Sequence, residues 1–267
     1  MKPAEHPRLV ARRRLLRLSA LAVPGAFQTT RAAWADEGPP GAVALDGFTT
    51  FDPRPVFALA ESIFPGRGAE LGNAWRTRQF EYTWLRTLSN RYADFWQVTE
   101  EALVFSAQLL KLDLTASART RLMNAYLELQ AWPDAVPALQ RLRDAGIRLA
   151  FLSNFTEGML QAATRNAQIG DLLETPLSTD RVRAFKPDPR AYAMGVSHFG
   201  LPRSRIVFAA FGGWDAAGAR AFGYPTFWVN RLGLPLEALG EQPDGTGSTL
   251  GALADFVLAR RSGAHAA

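Results

Sequence analysis

Four short apolar segments, each followed by polar residues, restrict the fold of this 267-residue chain more than any other feature. The segments are 42–45, 147–152, 206–211 and 225–229. From residue 134 onward they alternate with segments of helical pattern. Such alternation is typical of a parallel sheet with helices on both faces. We therefore predict an α/β fold with a doubly wound, Rossmann-like sheet.

Residues 53–133 differ in character, because no strand-like segment occurs there. Three stretches are rich in helix-forming residues, namely 56–64, 69–89 and 92–110. Because this region follows the first predicted strand, we expect a helical cap inserted into the sheet domain. The predicted organisation is a core of residues 36–52 and 134–260 with a cap of residues 53–133.

The first 35 residues differ from the rest in charge. They hold seven basic residues and one acid, so the rest of the chain has a net charge of −1 against +5 for the whole. Consecutive arginines at 12–14, an apolar stretch at 18–27 and small residues at 33 and 35 are typical of an export signal of the twin-arginine kind. We expect a periplasmic or secreted protein without stable membrane association after cleavage. The near-neutral remainder gives no support for a nucleic-acid partner.

Polar residues follow each predicted strand. They are Asp46, Ser153, Asn154, Asp215, Asn230 and Arg231. In open α/β sheets, ligands bind outside the carboxyl ends of the strands. We therefore expect one site at this edge, with Asp46 at its centre.

An aspartate in the position of Asp46 can bind a metal or act as a nucleophile. A magnesium phosphatase of this layout usually has a second carboxylate two residues later, where this chain has Phe48. A nucleophile that displaces a halide needs no acid there, and Lys186 can stabilise its charge. A second step would hydrolyse the ester, with Asp215 able to assist the water. The sequence therefore disfavours a metal site, and we expect no cofactor.

Longer motifs carry a resemblance to a known family. They include Phe64-Pro65-Gly66-Arg67-Gly68, Trp75-Arg76, Asn90-Arg91-Tyr92, Leu152-Ser153-Asn154, Lys186-Pro187-Asp188, Trp214-Asp215-Ala216 and Phe222-Gly223-Tyr224-Pro225-Thr226. From about residue 41 to about residue 250, the chain resembles the haloacid dehalogenase superfamily and, within it, the type II (S)-2-haloacid dehalogenases.

The resemblance implies a role for each matched residue. Asp46 matches the nucleophile, Lys186 its cationic neighbour, and Asp215 the acid that holds the lysine and assists the water. The residues implied to bind substrate or halide are Arg76, Ser153, Asn154 and Tyr192. The implied apolar wall consists of Phe48, Phe80, Phe95 and Trp214.

The chain departs from the family pattern at three positions. The segment after Asp46 is one residue shorter than usual, so the catalytic threonine is either Thr49 or Thr50. Ala210 and Gly212 stand where the family usually has a serine and an asparagine. These changes remove hydrogen-bonding groups from the half of the site that hydrolyses the ester.

The predicted function is hydrolytic dehalogenation of short (S)-2-haloalkanoic acids to (R)-2-hydroxy acids through an aspartyl ester. The expected partners are this small substrate and halide, and the family resemblance adds a homodimer, with helix 69–89 as a possible interface. The alternatives are a magnesium-dependent phosphatase of the same superfamily and a catalytically impaired carboxylate-binding protein.

Overall fold

The computed structural model describes residues 38–263, and the export signal predicted for residues 1–35 lies outside them. In chain order the strands are β1 (Ala42–Leu45), β2 (Phe51–Asp52), β3 (Gln130–Ala131), β4 (Arg148–Ser153), β5 (Leu177–Ser178), β6 (Ile206–Ala210), β7 (Thr226–Val229) and β8 (Gly245–Gly247). The helices are α1 (Gly47–Thr50), α2 (Arg54–Ile63), α3 (Gly68–Leu88), α4 (Phe95–Leu109), α5 (Ala116–Asn124), α6 (Ala135–Asp144), α7 (Glu157–Ala167), α8 (Pro189–Phe199), α9 (Gly213–Phe222) and α10 (Leu250–Gly263).

The main sheet is parallel, with the strand order β5-β4-β1-β6-β7-β8. Its pairing places Leu45 beside both Phe151 and Ala209, so the ends of β1, β4 and β6 lie at one edge. The predicted α/β sheet is thereby confirmed. β5 and β8 were not predicted, because strands this short leave no apolar run in the sequence.

Both faces of the sheet are buried, which explains why its central strands are continuously apolar. Along β1, Val43 and Leu45 belong to one hydrophobic cluster, whereas Ala42 and Ala44 belong to the other. This alternation follows from the two-residue period of a strand. The sheet therefore lies between two hydrophobic clusters, and its carboxyl edge carries the polar residues.

The region between β2 and β3 is mainly helical and contains α2 to α5. One expectation for it was wrong, because residues 130–131 form a strand that pairs antiparallel with β2. This pairing depends on backbone hydrogen bonds over only two residues, which leave no periodic pattern. The pair of strands β2 and β3 thus joins the two ends of the inserted helical region.

The first turn of α3 is capped by Glu61, whose carboxylate accepts hydrogen bonds from the Gly66 N–H at 2.5 Å and the Gly68 N–H at 2.9 Å. Gly68 has no space for a side chain, because a Cβ there would lie 2.2 Å from the Cα of Glu61. The motif at residues 64–68 thus fixes the start of the helix that carries Arg76.

At the C-terminal end of the described chain, α10 continues to Gly263, three residues beyond the predicted end of the core. Its buried residues Leu250, Leu253, Ala254 and Val257 join the main hydrophobic cluster. Within residues 38–263, no helix combines the length and apolar character that crossing a membrane would require.

Candidate active site

A buried lysine links two aspartates at the carboxyl edge of the sheet. The Lys186 Nζ donates to Asp46 Oδ1 at 2.7 Å and to Asp215 Oδ2 at 2.6 Å. Burial alone would lower the pKa of Lys186, but the two carboxylates outweigh it and the pKa is raised. Lys186 therefore remains cationic beside Asp46.

The position of each of these three residues, Asp46, Lys186 and Asp215, is set by the local structure around it. Asp46 follows β1 and caps α1, with its Oδ2 accepting from the Phe48 N–H at 3.0 Å. Asp215 lies in the first turn of α9, where the helix dipole favours negative charge. Lys186 precedes a cis peptide bond to Pro187, and its N–H donates to Asn154 Oδ1 at 3.0 Å.

The carboxylate of Asp215 is enclosed by protein. Burial, together with the charge of Asp46, raises its pKa to about 6, although Lys186 and Tyr192 oppose the shift. The Tyr192 hydroxyl donates to Asp215 Oδ1 at 2.7 Å. Burial and the adjacent carboxylates raise the pKa of Tyr192 well above its usual value, so the phenol stays a donor.

The two candidate threonines differ in their contacts. Thr49 Oγ1 donates to the backbone carbonyl of Asp46 at 2.6 Å, and Thr50 Oγ1 lies 3.5 Å from Thr49 Oγ1. Among the contacts of the described residues, neither hydroxyl bonds the Asp46 carboxylate. The prediction that one of them is catalytic stays a prediction, and the geometry gives Thr49 a role in shaping the turn.

A narrow cavity opens beside Asp46. Its lining comprises Asp46, Phe48, Arg76, Phe80, Phe95, Ser153, Asn154, Phe155, Phe211, Gly212, Trp214 and Asp215. Six of these twelve residues are aromatic and pack against one another. The ring centres lie 4.8 Å apart in the edge-to-face pair Phe48–Phe155 and 5.3 Å apart in the tilted pair Phe80–Trp214. The wall is therefore apolar and suits a substrate carbon rather than a hydrated group.

Polar groups without protein partners face this apolar wall. Arg76 makes no hydrogen bond or ion pair with any residue that the structure describes, and its guanidinium lies 5.7 Å from the centre of the Phe211 ring. The amide nitrogen of Asn154 is buried and has no hydrogen-bond partner among residues 38–263, while its oxygen accepts from the Lys186 N–H. Burial lowers the pKa of Arg76. The buried Asn154 amide needs an acceptor, and an anion would supply one to it and to the half-buried Arg76.

Ser153 offers a further donor to the cavity. Its Oγ accepts from the Phe155 N–H at 3.2 Å, which leaves the hydroxyl hydrogen free to bond a ligand.

Within residues 38–263, no three histidine, aspartate or glutamate side chains lie close enough to bind a metal ion.

Gly212 and Ala210, the two departures from the family pattern, have different neighbours in the structure. The Trp214 indole occupies the space beside Gly212, since a Cβ there would lie 2.8 Å from Trp214 Nε1. Ala210 is buried in the same cluster as Tyr192. Both oxygens of Asp215 keep donors, because Tyr192 and Lys186 supply them.

Nine of the thirteen predicted site residues line the cavity, and the other four, Lys186, Thr49, Thr50 and Tyr192, do not. The Tyr192 hydroxyl donates to Asp215 Oδ1, which orients that carboxylate, and the prediction that Tyr192 binds substrate stays a prediction. Two lining residues, Phe155 and Phe211, were missed. Each follows a strand end and could have been found from that position. Arg231 lies outside the cavity lining.

The chain is similar in sequence to a known family of hydrolases. A family model described as haloacid dehalogenase-like hydrolase matches residues 29–223. An (S)-2-haloacid dehalogenase from Pseudomonas sp. (strain YL) is 42% identical over 215 residues, 80% of this chain and 93% of the relative.

The chain is also similar to solved structures of L-2-haloacid dehalogenases. A crystal structure of an L-2-haloacid dehalogenase is 41% identical with a TM-score of 0.81, and the match covers 82% of this chain and 99% of that one. The L-2-haloacid dehalogenase from Xanthobacter autotrophicus, solved with chloropropionic acid covalently bound, is 34% identical with a TM-score of 0.76, over 82% of this chain and 98% of that one. The chain therefore belongs to the haloacid dehalogenase-like hydrolases and, among them, to the (S)-2-haloacid dehalogenase family.

Proposed function

We propose that this protein hydrolyses the carbon–halide bond of short (S)-2-haloalkanoic acids and releases (R)-2-hydroxy acids. The observation that carries the proposal is the cavity itself, where Asp46, held by Lys186 at 2.7 Å, faces an aromatic wall containing the unpartnered donors Arg76 and Asn154. The relatives named as (S)-2-haloacid dehalogenases, and the covalently bound chloropropionic acid of one of them, agree with this chemistry.

In the first step, a carboxylate oxygen of Asp46 attacks C2 of the substrate. The C2–O bond forms as the carbon–halogen bond breaks, and the halide leaves with the electron pair and needs no proton. Arg76 and the Asn154 amide are the donors available for the departing halide, and the Ser153 hydroxyl is available for the substrate carboxylate. Attack from the side opposite the halide inverts C2.

In the second step, water attacks the carbonyl carbon of the Asp46 ester. Asp215 accepts the proton from the water, since its oxygens have lone pairs beyond those that bond Lys186 and Tyr192. The acyl C–O bond then breaks, and the alkoxide takes the proton held by Asp215 and leaves as the hydroxy acid with the oxygen that came from Asp46. The water oxygen stays in Asp46, which loses its remaining proton to solvent and becomes a carboxylate again.

Both oxygens of Asp46 have a donor, which matters for this second step. Lys186 Nζ bonds Oδ1, and the Phe48 N–H bonds Oδ2 at 3.0 Å. Whichever oxygen forms the ester, the other develops negative charge during hydrolysis and keeps one of these donors. A preorganised donor of this kind is worth about 2.7–4 kcal/mol of barrier where it has been removed. The site therefore retains charge stabilisation despite Ala210 and Gly212.

The test combines halide release with the mass of the intact protein, using (S)-2-chloropropionate without added metal. We expect repeated halide release, no lasting adduct, and no release by Asp46→Asn. One equivalent of halide with a stable adduct would support the impaired binding protein instead. Absence of both halide and adduct would refute the proposal, and hydrolysis of a phosphate ester with Mg²⁺ would then favour the phosphatase.

We also propose export through the twin-arginine route and assembly as a homodimer. Export is supported by the pattern of residues 1–35, and a mature N-terminus near Asp36 in a periplasmic fraction would test it. The homodimer stays a prediction. On α3, Leu85 and Leu88 are exposed, and light scattering of the purified protein would measure its mass.

A further inference from the structure

Three consecutive carbonyl groups in the segment that carries the nucleophile are bound by residues outside the cavity lining. We define the nucleophile segment as residues 46–50. Trp132 Nε1 donates to the Phe48 carbonyl at 3.1 Å, and the Trp132 N–H donates to the Thr50 carbonyl at 2.9 Å. Arg231 donates to the Thr49 carbonyl from Nη2 at 2.8 Å and from Nε at 3.2 Å.

Arg231 is itself held on several sides. Its guanidinium bonds both carboxylate oxygens of Asp134, at 2.9 and 3.1 Å, and lies 4.5 Å from the centre of the Trp132 ring. Its side chain is 5% exposed. Asp134 also accepts from the Leu250 N–H at 2.6 Å, which connects the group to the start of α10. A guanidinium fixed by a bidentate carboxylate has little freedom to follow a moving loop.

Phe48 connects these contacts to Asp46 by hydrogen bonds of its carbonyl and its N–H. The Phe48 carbonyl is bound by Trp132, and the Phe48 N–H donates to Asp46 Oδ2 at 3.0 Å. Thr49 closes the same turn, because its hydroxyl donates to the Asp46 carbonyl at 2.6 Å. A shift of the Phe48 and Thr49 carbonyls would therefore move the donor that contacts the nucleophile.

We propose that Arg231, at the end of β7, and Trp132 are positioning residues that hold the nucleophile segment so that Asp46 is aligned for attack. This inference rests on the proposed function for its kinetic consequence, although the contacts do not depend on it. Arg231 touches no reacting atom in this arrangement, since it lies outside the cavity lining. Its effect on the reaction passes through the Thr49 carbonyl and the Trp132 ring.

The test uses Arg231→Met, which removes the charge and the donors, and Trp132→Phe, which removes the indole N–H. Arg54→Met is the matched control, because Arg54 also lies 4.5 Å from the Trp132 ring but bonds Asp52 instead of the nucleophile segment. We expect the rate constant of the first halide release to fall roughly 10- to 100-fold in Arg231→Met. KM should change less than this rate constant. The same rate constant should also fall in Trp132→Phe, and Arg231→Lys should recover part of the loss.

A folded Arg231→Met that releases the first halide at the wild-type rate would overturn the proposal, as would an equal loss in Arg54→Met. Should Arg231→Met fail to fold, Trp132→Phe and Arg231→Lys decide the question. Amide hydrogen exchange of the peptide containing residues 46–50 gives a readout independent of turnover. Faster exchange in Arg231→Met, but not in Arg54→Met, supports the inference even if the wild type releases no halide, which would refute only the proposed function. Unchanged exchange in Arg231→Met contradicts the inference.

Discussion

At the scale of single residues, the proposed mechanism makes Asp215 the group whose ionisation controls hydrolysis of the ester. Burial and the charge of Asp46 raise its pKa to about 6, against the opposing effect of Lys186. A base must be ionised to accept a proton, so the active fraction of Asp215 increases as the pH rises through this value. Alkylation removes the charge of Asp46, so the pKa of Asp215 in the ester intermediate should be lower than in the free enzyme.

We therefore expect the rate of ester hydrolysis to rise with pH and to level off, with a midpoint at or below about 6. The measurement is the decay of the mass adduct after a single turnover at different pH values. Asp215→Asn should accumulate the adduct and lose this pH dependence. Persistence of the same pH dependence in Asp215→Asn would show that another group is the base.

Sequence alone could predict which residues meet at the site, because the ends of neighbouring parallel strands meet at one edge. Asp46, Ser153, Asn154 and Asp215 were found in this way. Lys186 was proposed from the need of the nucleophile for a cation, whereas the role of Arg76 came from the family resemblance. The position of Tyr192 behind Asp215 could not be predicted, since it depends on the packing of α8 against α9. The role of Arg231 was equally hidden, because its partners Asp134 and Thr49 are distant in the chain.

At the scale of secondary-structure elements, α3 is fixed against α4 by buried polar contacts near Arg76. Trp75 is fully buried, and its Nε1 donates to the Thr99 carbonyl at 2.8 Å. Gln79 Nε2 donates to Thr99 Oγ1 at 2.7 Å. Trp84 lies further along α3, and its buried indole nitrogen has no hydrogen-bond partner in the part of the chain that the structure describes. The two tryptophans on one helix thus provide a matched comparison.

We expect Trp75→Phe to lower the free energy of unfolding by about 1–3 kcal/mol, because it removes a buried hydrogen bond and leaves a void at a fully buried position. Trp84→Phe should cost less than about 1 kcal/mol, since it removes a donor that has no partner. Denaturant unfolding of both variants measures the difference. A loss in Trp84→Phe equal to or larger than that in Trp75→Phe would contradict this interpretation of α3.

The longer helices were predictable from composition and periodicity, because α3 and α4 bury one side over many turns. The short strands β3, β5 and β8 were not, because two or three residues carry no period. The start of α3 depends on Glu61 bonding the N–H groups of Gly66 and Gly68 across a turn. A contact of this kind is set by local geometry that the hydrophobic pattern does not record.

At the scale of the whole molecule, the inserted helices supply one wall of the cavity and the sheet supplies the reacting groups. Contacts between the two regions include the Phe185 N–H to Thr87 Oγ1 at 3.1 Å and the stacking of Tyr92 on Phe185 at 4.9 Å. The Tyr92 hydroxyl also donates to Asp180. The aromatic wall and the Asp46–Lys186–Asp215 group are thereby assembled within one compact structure.

The central claim is that Asp46 forms the ester and that water attacks Asp46 rather than the substrate carbon. The most direct test is a single turnover, with enzyme in excess over (S)-2-chloropropionate, in water enriched in the heavy oxygen isotope. We predict that the peptide containing Asp46 gains the label, that the released 2-hydroxy acid does not, and that enzyme without substrate stays unlabelled. Label in the first-turnover product and none in the Asp46 peptide would show direct attack of water on C2 and contradict the account.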